Sequence, residues 1–108
     1  MNHGLSTDTI DKLKNLFRTR GRIHQVILYG SRAKGTHTTG SDIDLVLKGE
    51  NLTLRDLLSL RVQLDELNLP YTIDLSLYTQ IENADLLDHI HRVGIVIYQT
   101  TPVHEKMN

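Results

Sequence analysis

Two strand-like segments joined through Gly30-Ser31 constrain this chain more than any other feature. His24-Gln25-Val26-Ile27-Leu28-Tyr29 ends in a continuous apolar run, the pattern of a strand buried on both faces. Gly30 stops it, and ten residues separate Ser31 from Asp42-Ile43-Asp44-Leu45-Val46-Leu47. Side chains alternate along a strand, so Asp42 and Asp44 point one way while Ile43, Leu45 and Leu47 point the other, toward a core. Two unit charges about 4 Å apart repel by roughly 4 kcal/mol at an effective dielectric near 20, so such carboxylates need a cation or a proton between them. Mg²⁺ suits the pair, because it takes hard oxygen ligands and is held by one or two carboxylates together with substrate phosphates.

The Gly30-Ser31 half of the pattern predicts an anion cradle. Without a Cβ, Gly30 lets backbone approach a phosphate, while the Ser31 hydroxyl and the N–H groups of a short turn, Ser31-Arg32-Ala33-Lys34, are placed to hold phosphoryl oxygens. Arg32 and Lys34 add cations that either contact phosphate or are simply solvated, and Gly35 closes the turn. A P-loop reading of Gly30-x-x-x-x-Gly35-Thr36 fails, since Thr36 stands where the lysine should be. Further on, Tyr71-Thr72-Ile73-Asp74-Leu75-Ser76-Leu77 alternates strictly, which puts Asp74 on a polar strand face. Laid beside the Asp42/Asp44 strand on a common core, it would bring three carboxylates to one open face and one metal site.

Gly30-Ser31-Arg32-Ala33-Lys34-Gly35, followed by Ser41-Asp42-Ile43-Asp44-Leu45 and a later Ile73-Asp74-Leu75, resembles the minimal nucleotidyltransferase (MNT) branch of the polymerase-beta-like superfamily. The resemblance runs from the Gly-Ser strand to Gly94-Ile95-Val96-Ile97-Tyr98. It implies a two-metal Mg²⁺ site in which Asp42 and Asp44 are ligands, and Asp74 is a third ligand that activates an acceptor hydroxyl. It also implies that Gly30 and Ser31 hold the triphosphate of ATP and that the reaction occurs at the α-phosphate. Where this family often has arginine the chain has Lys34, which keeps the charge but not the bidentate geometry. Many proteins of this kind are antitoxins that adenylylate a tyrosine of a helical HEPN-domain toxin. The resemblance therefore implies AMP transfer from ATP to a partner protein and a hetero-oligomer with that toxin. Two other readings stand beside this one: a non-catalytic antitoxin that neutralises its partner by contact, and a small-molecule transferase acting on antibiotics. The second would be expected to bring a further domain for its small-molecule acceptor.

Composition sets the remaining bounds. The 108 residues suit a single domain with one core, so the acceptor is expected to be presented by another molecule. A net charge of −1 gives no basic footprint for a nucleic-acid backbone. With no cysteine, disulfides and zinc–thiolate sites are excluded, and no signal peptide or membrane span is evident, so a cytoplasmic protein is expected. The histidines offer little. His89 and His91, two apart on a predicted helix, do not share a face and cannot jointly grip a metal. The others read as surface residues, with His37 alone near the expected site.

The elements alternate along the chain. Ile10, Leu13, Leu16 and Phe17 mark a helix with cap candidates from Ser6 to Asp8 and Gly21 as its stop. A second helix from Thr53 to Leu67 carries leucine on more than one side and ends before Pro70. Thr79-x-x-Glu82 reads as a capping box opening a third, with Ile81, Ala84, Leu87 and Ile90, stopped by Gly94. A strand Ile95–Tyr98 and a polar tail, about 99–108, follow. The expected architecture is an α+β or α/β domain: a four-stranded mixed sheet with helices mainly on the leucine side and the aspartate side open.

Overall fold

The computed structural model describes residues 3–38 and 40–100, so most of the polar tail lies outside the described residues. Helix α1 (Thr7–Arg18) starts at Ser6, whose hydroxyl accepts the Thr9 amide at 3.1 Å, and buries Leu13 and Phe17 completely. It ends at Thr19, two residues before Gly21, because Thr19 satisfies the final carbonyls itself: its hydroxyl donates to the Leu16 carbonyl at 2.6 Å. Strand β1 (Ile23–Tyr29) leads directly into a five-residue helix, α2 (Gly30–Lys34), closed by Gly35 at φ 80°. Then come β2 (Ile43–Gly49), α3 (Leu54–Glu66), β3 (Ile73–Leu77), a 3₁₀ turn over Tyr78–Gln80, α4 (Ala84–Val93) and β4 (Ile95–Gln99).

The strands form one mixed sheet in the order β3-β2-β1-β4. β1 runs antiparallel to both β2 and β4, whereas β2 and β3 are parallel. On one face α1 and α3 cover the expected core, in which Leu13, Phe17, Leu57, Leu60 and Leu64 meet Val26, Leu28, Ile43, Leu45, Leu47 and Leu75. Each such side chain contributes about 1.5–3 kcal/mol when fully buried.

The other face is not left open throughout. Ile27, Tyr29 and Val46 form a second cluster there with Ile90 of α4, flanked by Tyr78, Ile81 and Leu86. The continuous apolar run of β1 is thus explained by helices on both sides, and the aspartate face stays accessible near Asp44 and Asp74 and, on β4, at the exposed Val96.

The helix boundaries show which local signals prevail. The α3 terminus is a capping box: Thr53 Oγ1 accepts the Asp56 amide while Asp56 Oδ2 accepts the Thr53 amide at 2.8 Å. Asp56 also pairs with the Arg22 guanidinium and lies 3.9 Å from Arg20. The Thr53 amide, then the Thr53 hydroxyl and Arg22, hold its carboxyl below the usual range. That stability is present above the ordinary carboxylate pKa and is lost as pH falls through the lowered one.

At α4 the Thr79/Glu82 box does not form. Thr79 lies in the 3₁₀ turn, and Asn83 caps the helix instead by accepting the Asp85 and Leu86 amides at 2.8 and 3.1 Å. Gly94 follows α4 as expected but at φ −58°, so it is not a left-handed stop. A Cβ there would collide with the Ile90 carbonyl and with Ile27. No described helix is long and apolar enough to cross a membrane. Thr53→Ala should lower the unfolding free energy by about 1 kcal/mol, read from the denaturant midpoint at unchanged slope.

Candidate active site

The site is assembled by strand register. Tyr29 of β1 stands opposite Asp44 of β2, and Asp44 stands beside Asp74 of β3, so one row across three strands ends at the Gly30 turn on one side and at Asp74 on the other. Asp42 lies just ahead of β2. Gly30 has φ +77°, and a Cβ on it would overlap Asp44 Oδ2. Glycine is therefore required twice, by the backbone angle and by the approach of the turn to a carboxylate.

The three carboxylates differ in surroundings. Asp44 is half-buried, and its carboxyl is pushed up by burial first, then by the charges of Asp74 and Asp42, with His89 opposing the shift. Asp74 is exposed and lies 4.0 Å from the Arg61 guanidinium, which also donates to the Leu75 carbonyl at 3.3 Å. Asp42 and Asp74 line a cleft of about 640 Å³ together with Arg61, Asp65, Asn68 and Thr72. Among the described residues no three acidic or histidine side chains close around a single point. Asp44 and Asp74 are neighbours in register, and the set is an open arrangement of hard oxygens rather than a finished cage. Such a set fits Mg²⁺, which usually completes its shell with water and phosphate oxygens.

The cradle residues divide. Ser31 is half-buried and Lys34 is exposed on the last turn of α2. Arg32 is a correction to the expected phosphate contact: at 2 % exposure it points into the protein. Its Nε and Nη2 donate to the Ser41 carbonyl at 3.2 and 2.9 Å, and Nη1 donates to the His3 carbonyl at 3.0 Å. The guanidinium also stacks 4.9 Å from the Tyr71 ring centroid. A guanidinium so committed ties down the loop that delivers Asp42 and is not available to phosphate.

Two residues were missed. Tyr29 bridges toward Ser76, and its phenol is pushed up chiefly by burial and further by Asp44 and Asp74, with the Ser76 hydrogen bond opposing. His89 accepts the Gly30 amide at Nε2, 3.0 Å away. Leu86, His89, Ile90 and Val93 share one face of α4 at helical spacing, which is the signal that could have drawn His89 in. His37, the histidine nearest the site in sequence, instead borders Gly4 and Arg32, and its Nδ1 is buried without a hydrogen-bond partner among the described residues.

A mixed sheet that brings a glycine turn beside Asp44 and Asp74 is the frame of a nucleotidyltransferase domain, and the comparisons give the class. The family model "Polymerase beta, Nucleotidyltransferase" matches residues 11–102, and the chain belongs to that family. A candidate protein adenylyltransferase of Methanocaldococcus jannaschii is 44% identical over 41 residues, which are 38% of this chain and 39% of that relative's length. Among solved structures, a toxin–antitoxin complex with AMP-PNP superposes with a TM-score of 0.70 at 21% identity, covering 85% of this chain and 74% of the other. The MNT antitoxin in complex with a tri-AMPylated HEPN toxin of Shewanella oneidensis gives 0.68 at 17% identity, covering 89% and 74%. The fold is the one these antitoxins share.

Because burial and neighbouring charge raise the Asp44 carboxyl, its ionisation at neutral pH opposes folding. The protonated form's advantage is complete below the ordinary carboxylate pKa and is lost as pH rises through the elevated value. Asp44→Asn should raise the melting temperature by a few degrees at neutral pH, with the gain shrinking as pH falls toward about 4. Arg32→Lys keeps the charge but not the fork. It should cost about 1–3 kcal/mol in denaturant unfolding, because the carbonyls of Ser41 and His3 lose their donors.

Proposed function

We propose that the protein is an Mg²⁺-dependent adenylyltransferase that moves AMP from ATP to a hydroxyl of a partner protein, a tyrosine of a HEPN-domain toxin. The observation that carries this reading is the row from the Gly30 turn through Asp44 to Asp74, joined to family membership. An in-line displacement needs the leaving group and the attacking oxygen on opposite sides of the α-phosphorus. A triphosphate held at Gly30 and Ser31 puts its pyrophosphate at the β1 side. The acceptor then arrives over β3, beside Asp74 and the cleft.

Asp42, Asp44 and Asp74 are the carboxylates that would hold Mg²⁺. When bound, the ions supply Lewis-acid stabilisation of the attacking and leaving oxygens. The chain's own residues do the rest. Gly30 and Ser31 seat the phosphates against the sheet, Lys34 adds a cation at the rim, and Asp74 takes the acceptor proton. The acceptor oxygen forms its bond to the α-phosphorus as the bond to the bridging oxygen breaks and pyrophosphate departs. For both parts Asp74 is well placed, exposed at the cleft with the Arg61 guanidinium 4.0 Å away.

The relatives support the choice of acceptor, since one is an MNT antitoxin solved with an AMPylated HEPN toxin. An exposed apolar row on α3, Leu54, Leu58 and Val62 at 57, 51 and 60%, supports a protein partner. That row also fits inhibition by contact alone, and one experiment separates the two. The purified pair is incubated with labelled ATP and Mg²⁺. The wild type should label the toxin, and Asp42→Asn with Asp44→Asn should lose at least about a hundredfold in rate, some 2.7 kcal/mol of transition-state stabilisation. Neutralisation by the unlabelling double variant would instead establish contact as the mechanism.

A further inference from the structure

Helix α4 makes a contact with the phosphate turn that the chemistry above does not use. Leu86 and Ile90 seat α4 on the aspartate face, and this directs the neighbouring His89 at the turn, where Nε2 accepts the Gly30 amide at 3.0 Å. A ring nitrogen that accepts a hydrogen bond carries no hydrogen of its own, so this contact requires Nε2 to be bare and leaves Nδ1 as the N–H position. The ring is braced edge-on against Tyr29, with centroids 6.3 Å apart and planes at 80°. Tyr29 is the residue immediately before Gly30, so one side chain holds both sides of that peptide.

Gly30 needs such a hold. Its φ of +77° is one of several conformations that glycine enters at little cost, and an unrestrained glycine gives up more freedom than any other residue when a ligand fixes it. A contact that selects one conformation in advance removes that loss from the binding step. The selected conformation is also the one that seats the turn against Asp44, where a Cβ would overlap the carboxylate. Turn and carboxylate are thereby kept in a fixed relation before any nucleotide arrives.

We propose that His89 is a positioning residue for the nucleotide: its imidazole fixes the Gly30 peptide and so preforms the turn that receives the triphosphate. This inference rests on the reading of Gly30 and Ser31 as the triphosphate site.

Two variants and three readouts test it. His89→Gln keeps an acceptor oxygen at the reach of Nε2, and His89→Phe keeps a ring against Tyr29 but accepts nothing. The readouts are melting temperature, Mg²⁺-dependent AMP-PNP binding by calorimetry with KM and kcat for ATP, and the tautomer of His89 from ring nitrogen NMR. The Phe variant should raise KM and the AMP-PNP Kd about tenfold with kcat within about twofold, the pattern of lost uniform binding. The Gln variant should recover most of that loss, and both should melt near the wild type. A Phe variant that binds AMP-PNP like the wild type overturns the proposal, as does a Gln variant no better than Phe. A wild-type spectrum with the proton on Nε2 overturns it whatever the nucleotide does. Wild-type protein that binds no AMP-PNP rejects the triphosphate site itself, and the role of His89 with it.

Discussion

The parallel pairing of β2 with β3 is the constraint on which the site depends. It sets Asp74 beside Asp44, while the antiparallel partner of β2 brings the end of β1, and with it Gly30, to the other flank. Nothing in the acidic residues themselves enforces this. The register is held from the opposite face, where Ile43, Leu45, Leu47, Leu75 and Leu77 are all buried or packed on the core. A slip of one residue would turn the leucines to solvent and the aspartates into the apolar layer. Packing on one side of the sheet therefore gathers mutually repelling groups on the other, where they would otherwise separate.

The charged residues sort by where they are committed. Asp56 and Asp44 are the same chemical group with opposite displacements: Asp56 is held ionised by an amide, a hydroxyl and a guanidinium, while Asp44 is pressed toward protonation by burial and by like charges. The first is part of the scaffold. The second is an uncompensated electrostatic cost kept in an accessible place, the kind of cost that marks candidate functional sites. Arg32 belongs with Asp56, despite its position inside the Gly-Ser turn.

Strands and most helices were legible because they are written locally. The alternation of β2 and β3, the apolar run of β1 and the stripe of α1 each lie within one short window. The Ser6 cap was readable for the same reason, whereas the Thr53 capping box emerged only with the structure. Competition between local signals was harder to read. Thr79 and Glu82 have box spacing, but the chain leaves β3 through a 3₁₀ turn and Asn83 satisfies two amides at once. The direction of Arg32 was not legible either, since a five-residue helix is too short for periodicity to say which side faces inward. His89 meets Gly30 across 59 residues of sequence, a contact that only the packing of α4 creates. That Asp44 and Asp74 lie on one side of neighbouring strands, with a turn at Gly30, was foreseen because alternation along a single strand fixes which face a residue takes.

Arg32 has a reach beyond its contacts. Its hydrogen bonds all run to carbonyl oxygens, and among the described residues no carboxylate pairs with it. Full positive charge is thus kept in the interior beneath the short helix that carries Ser31 and Lys34. Shielded there from counterions, which weaken exposed charges over about 10 Å, it acts on the overlying surface with less screening than an exposed cation such as Lys34. An incoming polyanion would experience that attraction without ever touching its source.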